Sequence, residues 1–162
     1  MQPNREKQMH SPIRIAIIST GVQASVVEQA TSGFVMALKN GKVSIANSVQ
    51  DSVGRGTELA LCLAESVPNV EIIGLDIFAG QQRTNSTLLL AALHKALELD
   101  VDVIACCVQS SNPDKQRLFQ DVCDSAVEKG ISLVACGSDK KRVFPGVLSG
   151  CTGVVSHIDC LE

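Results

Sequence analysis

Cysteine and histidine are the residue types in this sequence best suited to metal binding or nucleophilic chemistry, but their spacing favours neither. The three histidines, His10, His94 and His157, are scattered along the chain. A zinc site usually shows CxxC pairs or a Cys/His cluster, and a catalytic thiol needs a neighbouring base. Because the cysteines lie mostly inside apolar runs, we predict small core residues, with no metal site and no cofactor. The seven are Cys62, Cys106, Cys107, Cys123, Cys136, Cys151 and Cys160.

A more distinctive pattern is GRGTELALCLAE, residues 54–65, in which two glycines flank Arg55 and an apolar helix follows. A cation at a helix start is mildly unfavourable, by about 0.3–1 kcal/mol, because it meets the positive end of the helix dipole. Helix formation therefore does not explain Arg55. Two interpretations stay open: a carboxylate-binding group in a cleft, or a solvated surface side chain. For the first, the candidate ion-pair partners are Asp51, Glu58 and Asp76.

Apolar runs and helical spacings alternate along the chain and predict the elements that position these residues. Continuous apolar runs predict buried strands at 13–19, 70–78, 101–108 and 131–136. Helical spacings predict three helices, from a Thr57 cap to Pro68, from Asn85 or Ser86 to Asp100, and from Pro113 to Gly130. Two short apolar stretches around Asn40-Gly41 predict a β-hairpin over 33–47, and a helix over 22–38 is the alternative.

This order of elements predicts the fold class. Strands that alternate with helices need crossover connections, which produce a mainly parallel sheet. We predict an α/β fold, a three-layer, doubly wound sheet with helices on both faces. We also predict a flexible N-terminal segment at 1–12, followed by a single domain at 13–162. Chemistry on such sheets collects beyond the carboxyl ends of the strands, here at 19–21, 78–80, 108–110 and 137–139.

Charge and composition exclude several classes of partner. A formal charge of -3, with no dense run of Lys or Arg, argues against nucleic acid or an anionic membrane surface. No segment has the length of a signal peptide's apolar region or of a membrane span, so we expect a cytoplasmic protein. Structural disulfides are unfavourable in that reducing compartment.

Five ordered segments, covering about residues 13–158, resemble the subtilisin-like serine protease family (peptidase S8). In IAIISTG, Ser19 stands where the family has the catalytic Asp of Asp-Thr-Gly. Asp51 and the run from Gly54 to Ala60 resemble the family's Asp followed by Gly-His-Gly-Thr-His-Val-Ala, with Arg55 at the catalytic His. The other three segments are ALHKALELDVDVIACCVQSS, AVEKGISLVACGSD and FPGVLSGCTGVVS. In the second of these, Ser138 stands at the Asn that supplies an oxyanion donor.

The departures from the family pattern imply a degenerate member. A triad needs a nucleophile, an imidazole that takes its proton and a carboxylate that orients the imidazole. Ser19 cannot replace the carboxylate, and the permanently protonated guanidinium of Arg55 cannot replace the imidazole. The sequence ends before a segment like the family's Gly-Thr-Ser-Met-Ala nucleophile motif, so we expect a truncated fold that lacks the family's C-terminal third. Catalysis at the degenerate positions Ser19, Arg55 and Ser138 is therefore not expected.

The resemblance also implies a binding function. In the family, the strand edge that corresponds to Cys107, Val108, Gln109 and Ser110 binds an extended peptide through its main chain. Gln109 replaces a glycine there. We therefore predict a noncatalytic pseudoprotease that binds a peptide or a partner protein. The candidate biological setting is bacteriocin-type modified-peptide biosynthesis. We also predict a homo- or hetero-oligomer, because the truncation would expose apolar surface.

Two alternatives to this function stay open. One is an enzyme of changed mechanism that uses a Cys or Ser near the old active site, Cys136, Cys107 or Ser138, with Arg55 as an electrostatic clamp. The other is a small-ligand domain of the Rossmann or flavodoxin type. The absence of GxGxxG and of a P-loop weakens the second alternative, because phosphates need a run of glycine amides at a helix start.

Overall fold

A seven-stranded sheet carries the fold in the computed structural model, which describes residues 11–156. His10, His157, Cys160 and most of the predicted N-terminal segment lie outside the described residues. The strands are β1 (Ile13–Ser19), β2 (Ala30–Lys39), β3 (Lys42–Asn47), β4 (Val70–Asp76), β5 (Val103–Cys106), β6 (Ser132–Cys136) and β7 (Cys151–Val154). The helices are α1 (Arg55–Ser66), α2 (Ser86–Glu98) and α3 (Gln116–Glu128), the last preceded by a 3₁₀ turn at Pro113–Lys115.

The strand order is β3-β2-β4-β1-β5-β6-β7, and all neighbours are parallel except the β2–β3 hairpin. The predicted α/β fold with a mainly parallel sheet is confirmed. The hairpin prediction is also confirmed, since Asn40 and Gly41 both adopt positive φ at the turn, at 50° and 75°. The alternative helix over 22–38 is wrong because β2 occupies most of that range.

Helix starts follow one prediction and contradict another. Asn85 caps α2 as predicted, because its side chain accepts hydrogen bonds from the amides of Thr87 and Leu88 at 3.0 Å each. The predicted Thr57 cap of α1 is wrong. Gly54 precedes the helix in a left-handed conformation, and Thr57 is the third residue inside it. Its amide and its hydroxyl both donate to Asp51, which serves the α1 start from outside the helix.

Helices cover both faces of the sheet, but unequally. On one face α2 and α3 enclose a core that includes Ile18, Leu93 and Phe119. On the other face α1 packs through Ala60 over β1 and β4. The α1 side of β5, β6 and β7 has no helix among residues 11–156, and its side chains become more exposed toward the sheet edge. They are Val103, Ala105 and Val134, which are half-buried, and Val154, which is 56% exposed.

Candidate functional site

The start of α1 lies against the carboxyl end of β1, so that Gly56 lies next to Ser19 and Gly21. A Cβ on Gly56 would lie 1.9 Å from the Gly21 carbonyl oxygen and 3.4 Å from Cβ of Ser19. The Gly56 amide donates to the Thr20 hydroxyl at 3.2 Å. Ser19 is buried and stands level with Asp76 on neighbouring β4. The second glycine of the Gly-Arg-Gly motif thus permits a close approach that no larger residue allows.

Arg55, the first residue of α1, is exposed at this junction. Within residues 11–156 its guanidinium forms no ion pair. None of the candidate partners, Asp51, Glu58 and Asp76, pairs with it in this range. Asp51 and Asp76 accept backbone hydrogen bonds instead. A free cation faces solvent beside the buried ends of β1 and β4.

Asp51 organises the loop that leads into α1. Its Oδ1 accepts the amides of Val53 at 3.1 Å and Gly54 at 2.7 Å, and its Oδ2 accepts the amide and hydroxyl of Thr57 at 2.9 and 2.7 Å. Burial alone would raise the pKa of Asp51. The bonds from Gly54 and Thr57, together with the Thr20 hydroxyl, outweigh burial and hold the pKa below its usual value. Asp51 is thus an ionised structural group.

Asp76 is a buried carboxylate that the sequence analysis treated only as an ion-pair candidate. It ends β4 and accepts the amides of Phe78 at 2.7 Å and Ala79 at 2.9 Å through Oδ1. Burial raises the pKa of Asp76, the two amides oppose that rise, and the negative charge of Asp51 adds to it. The sequence signal was an acidic residue inside the apolar run IIGLDIF. Among residues 11–156, the acid that stands level with Ser19 in the sheet is thus on the neighbouring strand.

Ser138 and the thiols of Cys107 and Cys136 show little activation. The Ser138 hydroxyl accepts the Lys140 amide at 3.3 Å, which is the hydrogen bond of a local turn. Burial, with a smaller contribution from Cys136, raises the pKa of Cys107 to about 11, and burial also raises the pKa of Cys136. His94, the one histidine in the described range, is exposed on α2. Thiolates at these positions are disfavoured at neutral pH.

The segment from Cys107 to Ser110 continues β5 past its last ladder residue. The Cys107 amide donates to the Ile18 carbonyl at 3.0 Å, and Ser110 exchanges two backbone hydrogen bonds with Phe144, at 2.9 and 2.8 Å. Between these fixed points the Val108 carbonyl accepts the Cys106 thiol at 3.1 Å. The Gln109 amide and carbonyl have no partner among residues 11–156, and its side chain is exposed. A short length of backbone is held at both ends and open in the middle.

A cavity of about 260 Å³ adjoins this open backbone. Leu89 contributes an apolar side chain to it. Polar groups dominate the rest, and the Ser86 and Ser110 hydroxyl oxygens lie 2.8 Å apart. The lining residues are Thr84, Asn85, Ser86, Leu89, Val108, Gln109, Ser110, Ser111 and Asn112. No local sequence pattern indicates this cavity, since it depends on the start of α2 and the end of β5 meeting through residues distant in the chain.

No group of three or more His, Cys, Asp or Glu within residues 11–156 is placed to hold a metal ion. No helix in the same range has the length and apolarity to cross a membrane.

Comparison with known proteins shows the fold. No family model matches the sequence, and no curated protein matches it. Solved structures do match. One described as a lanthipeptide protease has a TM-score of 0.73 and 17% identity, with 90% of this chain and 48% of the other covered. The epidermin leader peptide processing serine protease EpiP from Staphylococcus aureus has a TM-score of 0.72 and 18% identity, with 90% and 46% covered. Its S393A mutant gives 0.71 and 16%, with 90% and 47% covered.

This chain therefore spans about half the length of the structures that it matches. The predicted α/β fold is shared with these protease structures, and identities of 16–18% show the fold alone, not membership of the serine protease family that the sequence resembles.

Proposed function

We propose that this chain is a noncatalytic, degenerate subtilisin-like protein that binds an extended peptide along Cys107, Val108, Gln109 and Ser110. The observation that carries the proposal is the open backbone at Gln109, which offers a donor and an acceptor between two anchored residues. Main-chain pairing with an exposed strand edge is a sequence-tolerant way to hold a peptide. The adjoining cavity of about 260 Å³ would take one side chain of that peptide.

The chemistry of the neighbouring positions supports binding without cleavage. Arg55 stands at the position that a general base requires, and its guanidinium stays protonated at physiological pH. Ser19 stands at the position of the orienting acid. Asp76 lies beside Ser19 on the neighbouring strand, and its Oδ1 accepts hydrogen bonds from two backbone amides. No proton-accepting imidazole lies within residues 11–156 at the strand ends.

The proposed biological setting is modified-peptide biosynthesis in the cytoplasm. The support is the fold shared with a lanthipeptide protease and with an epidermin leader peptide processing protease. The six described cysteines are all free thiols, which suits a reducing compartment. In this setting the chain would hold a leader peptide or a partner enzyme rather than cut the peptide.

The enzyme of changed mechanism is the alternative, and the structure gives no specific observation in its favour. A nucleophilic thiol needs a lowered pKa or an adjacent base. Burial instead raises the pKa of both Cys107 and Cys136.

Titration of the ¹⁵N-labelled protein with capped, extended hexapeptides of varied sequence tests the proposal. We expect the amide resonances of Val108 and Gln109 to shift on binding. Gln109→Pro removes the amide donor and should weaken binding about fivefold, since one main-chain hydrogen bond in a partly desolvated edge contributes about 1 kcal/mol. Gln109→Ala keeps the donor and serves as the matched control.

Two outcomes would contradict the proposal. The first is that no peptide shifts the amide resonances of Val108 and Gln109. The second is that the protein hydrolyses the peptides, as measured by mass spectrometry, and that this hydrolysis is lost in Cys107→Ala, Cys136→Ala or Ser138→Ala. That result would establish the alternative enzyme.

A further inference from the structure

A second cavity, of about 450 Å³, shares the Thr84–Asn85 segment with the cavity at the peptide edge but is otherwise lined by different residues. It is bounded by the last residues of β2, the loop after β4 and the first turn of α2. The lining residues are Met36, Ala37, Leu38, Lys39, Phe78, Ala79, Gln81, Arg83, Thr84, Asn85 and Leu88. Its volume is within the range of small-molecule sites.

The interior of this cavity is apolar. Met36 and Leu88 are buried members of the main core, and Phe78 packs against that core. Leu38 continues the same face of β2 but is 45% exposed, so an apolar side chain faces the cavity mouth without cover. Burial of this surface by an apolar group would remove it from water and would be favourable.

The rim of the cavity is positively charged. Lys39 and Arg83 both line it, both are exposed, and neither forms an ion pair within residues 11–156. No Asp or Glu is among the lining residues. The first turn of α2 carries no acidic side chain either, so only the neutral Asn85 cap faces the positive end of the helix dipole. Apolar interior and cationic rim together complement a ligand that is apolar at one end and anionic at the other.

The loop wall of the cavity is held in a fixed conformation. Ala79 adopts a positive φ of 49°, which is costly for a residue with a Cβ. Asp76 holds it there by accepting the Phe78 and Ala79 amides. The Thr84 hydroxyl ties the far end of the loop to the Ile77 carbonyl. A preformed wall lowers the ordering cost of binding.

We propose that this cavity binds a small apolar carboxylate, with the hydrocarbon part over Leu38, Phe78 and Leu88 and the carboxylate between Lys39 and Arg83. The site is separate from the peptide edge. It stands whether or not that edge binds peptide.

Octanoate, used below its micelle-forming concentration, is the probe that tests this site. We expect the ¹⁵N amide resonances of Leu38, Phe78, Ala79 and Gln81 to shift saturably. Octanol lacks the charge and octylamine reverses it, so octanol should bind more weakly and octylamine should not bind at these residues. Arg83→Gln and Lys39→Gln should each weaken octanoate binding about two- to fivefold, the range of an exposed ion pair.

Arg117→Gln removes an exposed arginine of α3 that is not in the cavity lining and should leave the octanoate affinity unchanged. Thermal denaturation of each variant verifies that it is folded. Equal affinity for octanoate and octanol would overturn the anion selectivity. Shifts confined to other residues, or no shifts, would overturn the site, and neither result would affect the hexapeptide titration at Val108 and Gln109.

Discussion

At the scale of single residues, Asp51 and Asp76 are both carboxylates, but their pKa values are shifted in opposite directions. Asp51 has a pKa held below its usual value by hydrogen bonds, so its ionised form stabilises the fold above the ordinary Asp pKa and that stability is lost as the pH falls. Asp76 has a pKa raised by burial, so its contribution is most favourable at low pH and is lost as the pH rises through its folded-state pKa.

The two neutral amide variants should therefore change stability in opposite directions. At pH 7 we expect Asp51→Asn to lower the free energy of unfolding by about 1–2 kcal/mol, because an amide cannot accept all four bonds. Asp76→Asn should raise the free energy of unfolding at pH 7, and this gain should disappear below the ordinary Asp pKa. Urea denaturation at neutral and acidic pH measures both, and parallel pH profiles for the two variants would refute this assignment.

At the scale of elements, the approach of α1 to β1 depends on one glycine. A Cβ at Gly56 would lie 1.9 Å from the Gly21 carbonyl oxygen, so backbone would have to move. We expect Gly56→Ala to destabilise the protein by about 3 kcal/mol or more, the cost of overpacking against backbone. Chemical denaturation measures this loss.

Gly130→Ala is the matched control for that substitution. Gly130 has a φ of 70° and open space around its Cα, so the variant should cost only about 1 kcal/mol, for the left-handed conformation alone. Equal losses in the two variants would show that close packing at the α1 start is not what requires glycine.

At the scale of the whole molecule, the sheet has one unevenly covered face. On the α1 side of β5, β6 and β7, the half-buried Val103, Ala105 and Val134 and the exposed Val154 form the apolar surface that the predicted oligomer would cover. If a second copy covers this face, Val154→Asp should shift the protein toward a 17.1 kDa monomer in sedimentation velocity runs. Val127→Asp, on exposed α3, should leave the sedimentation unchanged. A wild-type monomer at every concentration would contradict the homo-oligomer.

The sequence by itself determined the alternation of elements, because buried strands and amphipathic helices have distinct apolar periods that local residues record. It determined β1 to the residue, the Asn40-Gly41 hairpin and the Asn85 cap, since turns and caps depend on neighbouring residues. It also predicts that Arg55 and Ser19 stand at the base and acid positions of the family that the sequence resembles, and residue type alone is unsuited to those two roles.

Only the tertiary structure decided which polar groups meet. Asp51, and not Thr57, accepts the hydrogen bonds at the start of α1. Asp76 lies beside Ser19 because two strands more than fifty residues apart in sequence pair in parallel. The open backbone at Gln109 and the cationic rim of Lys39 and Arg83 likewise join distant segments. Such contacts arise from packing of whole elements, and no local pattern in a single sequence records which elements will be neighbours.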